Sequence, residues 1–482
     1  MLHNNYVLHH NHSFYSNLRL TDAIASPKQL LEVAHKYKYK GLSITEHESL
    51  SSSVEILQEM KKMKESGEID KSTRLIHANE IYLVESLSDV KDNYQSGVTK
   101  FPHYVLMAKN RKGFEALCLL STQAHKNAFY TGGMERVPTE KAFLREVVQS
   151  EEYKGTLMGS SACLGAPQNI HLLKLLEEPG NSQHYDNAVK EVQWSVDTFG
   201  KEDYFIELQP ADTREQRFVN EQLLKIAKEL DLTYIVAGDT HYINKEDAKI
   251  HSAFLNSKDE EREVESFYKY CYAHSPEDMH NQMDYYLGRE VVEKALENTN
   301  LLYDKTEDYE LEHSPIIPKS EIPEFQLAHM FKPAYDKYPS LKRLAYSDVK
   351  DEQFMLYLLE KGYKKELHKK GISREEFHTI LARLDVEMEE ILGVGDRINQ
   401  TVSSYYITVR DIVNTIWQEE ECYSGSLVGS GRGSSGGFLS LFLLGITQVN
   451  PLEHEGMIHH RHLHKSREDF PKHNWERLVN VA

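Results

Sequence analysis

"HHNHSFYS", His9 to Ser16, follows a short apolar entry near the start of the chain. In an extended segment, residues two apart face the same side. The imidazoles of His10 and His12 can therefore reach one metal ion. Alone, such a pair is weak evidence, because a single histidine is more often an ordinary surface or core residue. Its weight depends on what the rest of the chain supplies.

Similar residues recur on successive strand signals. "SPKQLLEVAHKYKYKG" (26–41) predicts a helix with Ser26 as N-cap, Pro27 at its first position and Gly41 as its stop. "GLSITEH" (41–47) then reads as a short strand ending in Glu46 and His47. Glu80 lies inside "LIHANEIYLV" (75–84), and His103 opens "HYVLMAKN" (103–110). Cys163 follows "GTLMGSSA" (155–162). "YFIELQ" (204–209) is a further strand, and "YIVAGDTHYI" (234–243) places Asp239 and His241 two apart. Helical stretches such as 216–230 lie between some of these runs. Strands alternating with helices predict a parallel α/β sheet or barrel. In α/β barrels the chemistry collects at the C-terminal ends of the strands. Imidazole, carboxylate and one thiolate together suit zinc, manganese or iron. His3, His9, His77 and His125 read as ordinary histidines outside this pattern.

Composition narrows the function classes. The 482 residues suffice for several domains, and 40% are hydrophobic, enough for sizeable cores. A formal net charge of −19 argues against nucleic-acid binding by bulk basicity and leaves room for a local basic groove. The longest apolar run, Phe438–Ile446, is too short to span a bilayer. Four scattered cysteines give neither a disulfide framework nor a paired-cysteine zinc motif. The expectation is a soluble, cytoplasmic protein with no membrane partner.

Near residue 265 the pattern changes. "EDYELEHSPIIPKSEIPEF" (307–325) reads as an extended connector, and 349–420 reads as mostly helical and highly charged. "GSGRGSSGG" (429–437) precedes "FLSLFLLGI", which reads as a buried helix. Free N–H groups at a helix start can hold a phosphate, so a phosphate cradle is expected there. Without further context, a loop that merely turns into a buried helix is the better reading.

"HHNHSFYS", "SITEHESL", "ANEIYLV", "HYVLMAKN", "SSACLG" and "VAGDTHYI" resemble, in order and spacing, the motifs of the PHP (polymerase and histidinol phosphatase) domain. The version they resemble stands at the N-terminus of bacterial and phage C-family DNA polymerase III alpha subunits. The resemblance implies a distorted βα barrel holding up to three metal ions, Zn²⁺ or Mn²⁺, with iron as a third choice. It carries the family's nine ligands onto His10, His12, Glu46, His47, Glu80, His103, Cys163, Asp239 and His241. Glu46 stands where the family usually has Asp and reaches one methylene further. The implied chemistry is metal-assisted phosphoester hydrolysis, with a DNA 3′ end as substrate.

The C-terminal region resembles the opening of the same family's polymerase-beta-like palm. The resemblance implies contacts from Gly433 and Ser434 to nucleotide phosphates, with Arg432 beside them and Arg461 following. It implies a PHP domain over 1–265, an early palm segment and connector over 266–345, a helical thumb over 346–425, and the start of the palm over 426–471. Residues 472–482 resemble nothing in the family. The family's palm continues with Pro and Asp-x-Asp; here Pro471 is followed by Lys472, His473 and Asn474. Two-metal nucleotidyl transfer needs those carboxylates. The chain is therefore expected not to polymerise alone, and to use Mg²⁺ only if a second chain completes the palm. DNA and replisome proteins are the implied partners. The rival readings are a stand-alone PHP phosphatase acting on a small phosphomonoester and a non-catalytic module stabilised by its metals.

Overall fold

The computed structural model describes residues 6–96, 98–131, 134–257, 266–311, 316–368, 371–417, 428–431, 433–454 and 456–465. The chain divides into two units, Met1–Leu311 and Glu312–Ala482.

The first unit is built on strands β1 (Val7–Leu8), β2 (Gly41–Ile44), β3 (Arg74–Val84), β4 (His103–Ala108), β5 (Phe129–Thr131), β6 (Met134–Arg136), β7 (Pro138–Glu140), β8 (Leu157–Ser160), β9 (Tyr204–Leu208) and β10 (Tyr234–Val236). The main sheet has the order β1-β2-β3-β4-β8-β9-β10, with β7 added along β3 and β5–β6 apart as a hairpin. Pairing is parallel at β1–β2, β2–β3, β8–β9 and β9–β10. It is antiparallel at β3–β4 and β4–β8. The sheet is thus mixed where the sequence pattern predicts parallel strands. Among the described residues the link from β3 to β4 contains the short helix Leu87–Asp92. Apolar periodicity marks a strand but not its direction.

Strand alternation sorts the side chains. Val105 and Met107 of β4 pack with Ile76, Ala78 and Phe205, while Tyr104, Leu106 and Ala108 pack with Ile81, Leu83 and Ile206. Burial on both faces explains why β4 is apolar throughout. The same alternation puts Glu80 on the face of Ile76 and Ala78, and Glu207 on the face of Phe205.

The sheet closes at the C-terminal ends of its edge strands. The Gly238 amide donates to the His9 carbonyl (3.1 Å), Thr240 to His10 (3.0 Å), and His12 to Thr240 (2.8 Å). Thr45 donates to Asn11 (2.8 Å) and Glu80 to Glu46 (3.1 Å), continuing the ring. The result is a distorted βα barrel. Helices Pro276–Leu287 and Arg289–Asn298 cover one side through Met279, Met283, Val292 and Leu296. Residues 266–311 therefore pack within the first unit.

The second unit is helical: Pro339–Ala345, Lys350–Glu366, Arg374–Ile398, Val402–Trp417 and Leu439–Leu443. They share one core that includes Phe331, Leu359, Leu384, Met388, Tyr406 and Leu441. Gly362 lets Leu443 approach so closely that a Cβ there would meet the Leu443 carbonyl at 2.0 Å. The glycine-rich stretch forms a short 3-10 turn, Gly433–Gly437, ahead of the five-residue helix Leu439–Leu443. The buried Glu387 carboxylate accepts the Leu439 and Ser440 amides at 2.7 and 2.8 Å and the Arg383 Nε at 2.8 Å. Burial raises its pKa, partly offset by these donors.

Glu387→Ala is expected to destabilise the chain by about 3 kcal/mol, since two amides and a guanidinium lose their acceptor. Glu387→Gln, which keeps an acceptor, costs less. Chemical denaturation of both variants checks this ordering.

Candidate metal centre

The side chains at the barrel mouth converge because their strand ends do. His10 and His12 ride the segment that closes the barrel, and Glu80 follows Ala78 on the inner face of β3. Asp239 and His241 lie beyond β10. Four non-glycine residues here adopt left-handed backbone: His10 (φ 63°), Glu48 (49°), Ala162 (49°) and Asp239 (45°). Each costs on the order of 1 kcal/mol, and the ring of backbone bonds holds His10 and Asp239 in place.

Glu80 is the hub. Its carboxylate lies 2.8 Å from His47 Nδ1, 3.2 Å from His103 Nδ1, 3.4 Å from His10 Nε2 and 3.5 Å from His12 Nε2. Cys163 Sγ is 3.8 Å from Glu80 and 3.4 Å from His103 Nδ1. Asp239 lies 3.4 Å from both His10 Nε2 and His12 Nε2. Among the sets of side chains that bring ligand atoms within 4.8 Å of one another are His12, His47 and His241; His10, His12 and Asp239; and His47, Glu80 and His103. All are buried except His103, which is partly exposed.

Glu46 stands apart from these sets. It accepts from Ser13 N at 3.0 Å, from Ser13 Oγ at 2.5 Å and from Ser16 Oγ at 2.6 Å, and burial raises its pKa. Its extra methylene takes the carboxylate into the turn after His12. A further carboxylate facing the histidines is Asp22, a residue missed in the sequence. Its Oδ2 lies 2.8 Å from His47 Nε2 and 3.4 Å from His241 Nε2. Burial opposes its charge, but His47 and His241 outweigh burial and hold it well below the usual range. Asp22 sits on an irregular loop with no strand or paired-residue signal.

The donor set fits a metal. His10 Nε2, His12 Nε2, His47 Nδ1, Glu80 Oε2 and Asp22 Oδ1 are buried without a hydrogen-bond partner among the described residues. His47 Nδ1 and Glu80 Oε2 are 2.8 Å apart yet do not align as a hydrogen bond. Close lone pairs aimed past one another are what ligands around an ion present. Outer hydrogen bonds fix the ring orientations. Ser16 Oγ holds His12 Nδ1 at 3.0 Å and Glu207 holds His10 Nδ1 at 2.7 Å, leaving each Nε2 inward. Burial and the nearby His47 lower the His12 pKa to about 4, so the ring stays neutral and its lone pair free.

Gly433 is exposed and Ser434 half-buried, and the Ser434 Oγ lies 3.5 Å from His462 Nδ1, beside the turn His459–Arg461. Gly433, Ser434 and the exposed Arg461 are thus neighbours. The amides at the start of the following helix are engaged by Glu387. The Leu439 and Ser440 amides are therefore not open to a phosphate. Arg432, Lys472 and Asn474 lie outside the described residues.

Barrel and cluster together define a PHP-type metal-binding unit, and residues 9–211 match the PHP domain. Residues 354–473 match the "Bacterial DNA polymerase III alpha NTPase domain". Both matches are to domains found in DNA polymerase III alpha subunits, and the chain is similar to such subunits along most of its length. It is 46% identical over 468 residues to a "DNA-directed DNA polymerase" of Bacillus phage SPbeta, covering 96% of this chain and 36% of that one. It is 29% identical over 480 residues to the DNA polymerase III subunit alpha of Aquifex aeolicus, covering 96% and 35%. The Helicobacter pylori 26695 subunit is 28% identical over 472 residues, covering 96% and 34%. The chain thus spans about a third of the length of the curated relatives it matches. No helix among the described residues is long and apolar enough to cross a membrane.

Glu207→Gln tests the outer support. Burial would raise the Glu207 pKa, but His10 and His9 outweigh it and hold it low; burial would lower His10, but Glu207 and Asp239 raise it. The Glu207 contribution is present above the unfolded carboxylate pKa of about 4.3 and lost as pH falls through the depressed folded value. The His10 contribution is present below about 6.5 and lost as pH rises through the raised folded value. For metal-free protein, this pair stabilises most between those limits. Denaturation across pH is expected to show the variant weaker there by about 2–3 kcal/mol, with both limbs flattened.

Proposed function

We propose that the first unit is a metal-dependent phosphoesterase acting on the 3′ end of a DNA strand, in a chain of DNA polymerase III alpha type. The observation that carries this reading is the convergence of unpartnered ligand atoms of His10, His12, Asp22, His47 and Glu80 at the barrel mouth. The proposed ligands are those five with His103, Cys163, Asp239 and His241, for up to three ions of zinc, manganese or iron type. Glu46 shapes the turn that carries His12.

Bound ions would lower the pKa of a water and neutralise charge gathering on the phosphate. The protein's part is placement. Glu80 and Asp22 spread negative charge through the imidazoles, which offsets repulsion between neighbouring cations. Ser16 and Glu207 keep two rings facing inward. His103, with its side chain 23% exposed, stands where the cluster meets solvent. The DNA substrate is supported by the polymerase relatives and by the second unit's match, which a phosphatase for small phosphomonoesters would not need.

The second unit is proposed to include thumb and opening palm, with Gly433, Ser434, Arg432 and Arg461 on the nucleotide side. Replisome proteins and a chain completing the palm are the proposed partners.

The test is 3′ hydrolysis of single-stranded DNA by metal-loaded protein, with metal content measured alongside. Asp22→Asn, and Asp239→Asn with His241→Ala, are expected to lose metal and at least about tenfold in rate. Glu46→Gln is expected to keep its metal. Full metal with no hydrolysis would favour a stabilising role, and no metal would overturn the centre. Primer extension with Mg²⁺ and four deoxynucleotides is expected to fail for this chain alone, since Lys472 and Asn474 replace the metal-binding aspartates. Template-directed extension would overturn that assignment.

A further inference from the structure

Cys271 lies outside every motif of the barrel mouth, yet the fold delivers it there. The segment after the turn Ser266–Tyr270 pairs with the chain beyond β10, through a parallel bridge between Tyr242 and Tyr272. The His241 amide donates to the Cys271 carbonyl at 2.7 Å, and the Ala273 amide to the Tyr242 carbonyl at 3.0 Å. That register sets Cys271 beside His241. Neighbours across a pair of extended segments share a face, and Asp239, two residues before His241, belongs to the same face.

The side chains agree with the register. Ligand atoms of Asp239, His241 and Cys271 all lie within 4.8 Å of one another, and all three residues are buried. Among the described residues the thiol makes one weak hydrogen bond, to the Phe267 carbonyl at 3.7 Å. One side of Cys271 touches the apolar cluster of Tyr242, Leu255, Tyr268 and Tyr272. The other faces a carboxylate and an imidazole already proposed as ligands. A thiol there can remain neutral in the absence of metal and give up its proton when an ion arrives.

We propose that Cys271 is a further thiolate ligand of the metal centre, completing a mixed sulfur, nitrogen and oxygen site with Asp239 and His241. This rests on the metal-centre reading above and goes beyond its ligand set. With Cys163 at the Glu80–His103 end, the centre then carries a thiolate at each of two positions. Thiolates favour zinc-like ions over manganese. A second thiolate therefore biases this chain toward zinc.

The experiment uses the whole chain loaded with Co²⁺, whose thiolate complexes absorb in the near ultraviolet in proportion to the sulfurs bound. Cobalt content and thermal melting are measured on each sample. Wild type and Cys118→Ser, the latter altering an exposed thiol remote from the cluster, are expected to give the same band. Cys271→Ser and Cys163→Ser are each expected to remove about half of it, and the double variant nearly all. Zinc-edge X-ray absorption on unsubstituted protein gives the sulfur count without relying on a variant's folding; sulfur from two cysteines supports the proposal. A band unchanged in Cys271→Ser and abolished in Cys163→Ser, or sulfur from one cysteine alone at the zinc edge, overturns it and leaves the metal centre standing. Cobalt bound with no thiolate band overturns both thiolate assignments. Failure to bind cobalt or zinc at all overturns the metal centre itself.

Discussion

A buried carboxylate surrounded by imidazoles is the constraint on which the first unit turns. Glu80 is fully buried, and burial alone would neutralise it; His103 and His47 outweigh that effect and keep it charged. The reverse holds for His47, where burial opposes the charge and Asp22 and Glu80 restore it. Neither sign is tolerable alone in so dry a place. The groups are held in register by backbone bonds between the strand ends, so barrel closure and centre assembly are the same event. His10 and Asp239 accept left-handed backbone as part of that closure. Strain of this kind persists only where its surroundings over-determine it.

Much of this was legible in the sequence. H-x-H and D-x-H at strand ends carry a period of two, and the apolar runs around Glu80 and His103 mark β3 and β4. Direction was not legible, because a strand buried on both faces reads the same either way; β4 runs against its neighbours. Glu46 and Asp22 show a second limit. Sequence position put Glu46 beside His47, and one methylene together with two serine hydroxyls turned it elsewhere. Asp22 reaches the centre from an irregular loop, where no periodicity announces which side chain points inward. Cys271 arrives through a pairing between segments thirty residues apart in sequence, as His241 and Cys271 are, and nothing local encodes it.

The glycine-rich stretch of the second unit illustrates how one composition serves two physical demands. Its glycines permit close packing, as at Gly437, where a Cβ would come within 2.9 Å of the Ile458 carbonyl. They also leave Gly433 exposed in a left-handed conformation (φ 60°). Between these two, Glu387 takes the amides that a phosphate would otherwise use, and Arg383 ties the same carboxylate to the Gly437 carbonyl. The anchored end of the loop is thereby separated from its free end. The amides of Leu439 and Ser440 at the helix start are occupied by a carboxylate of the chain itself.

The two units share one device. In each, a buried carboxylate organises a polar site by satisfying groups that would otherwise be stranded in an apolar core. In the second unit Glu387 receives two amides and a guanidinium at the start of the helix Leu439–Leu443. In the first unit no such balance is reached among the described residues. Glu80 Oε2, Asp22 Oδ1 and three imidazole nitrogens remain buried and unpartnered despite their crowding. A folded protein that buries so many polar atoms without hydrogen bonds needs another partner for them. Once His10 and His47 give up their protons, the lone pairs on nitrogen and carboxylate oxygen suit a cation.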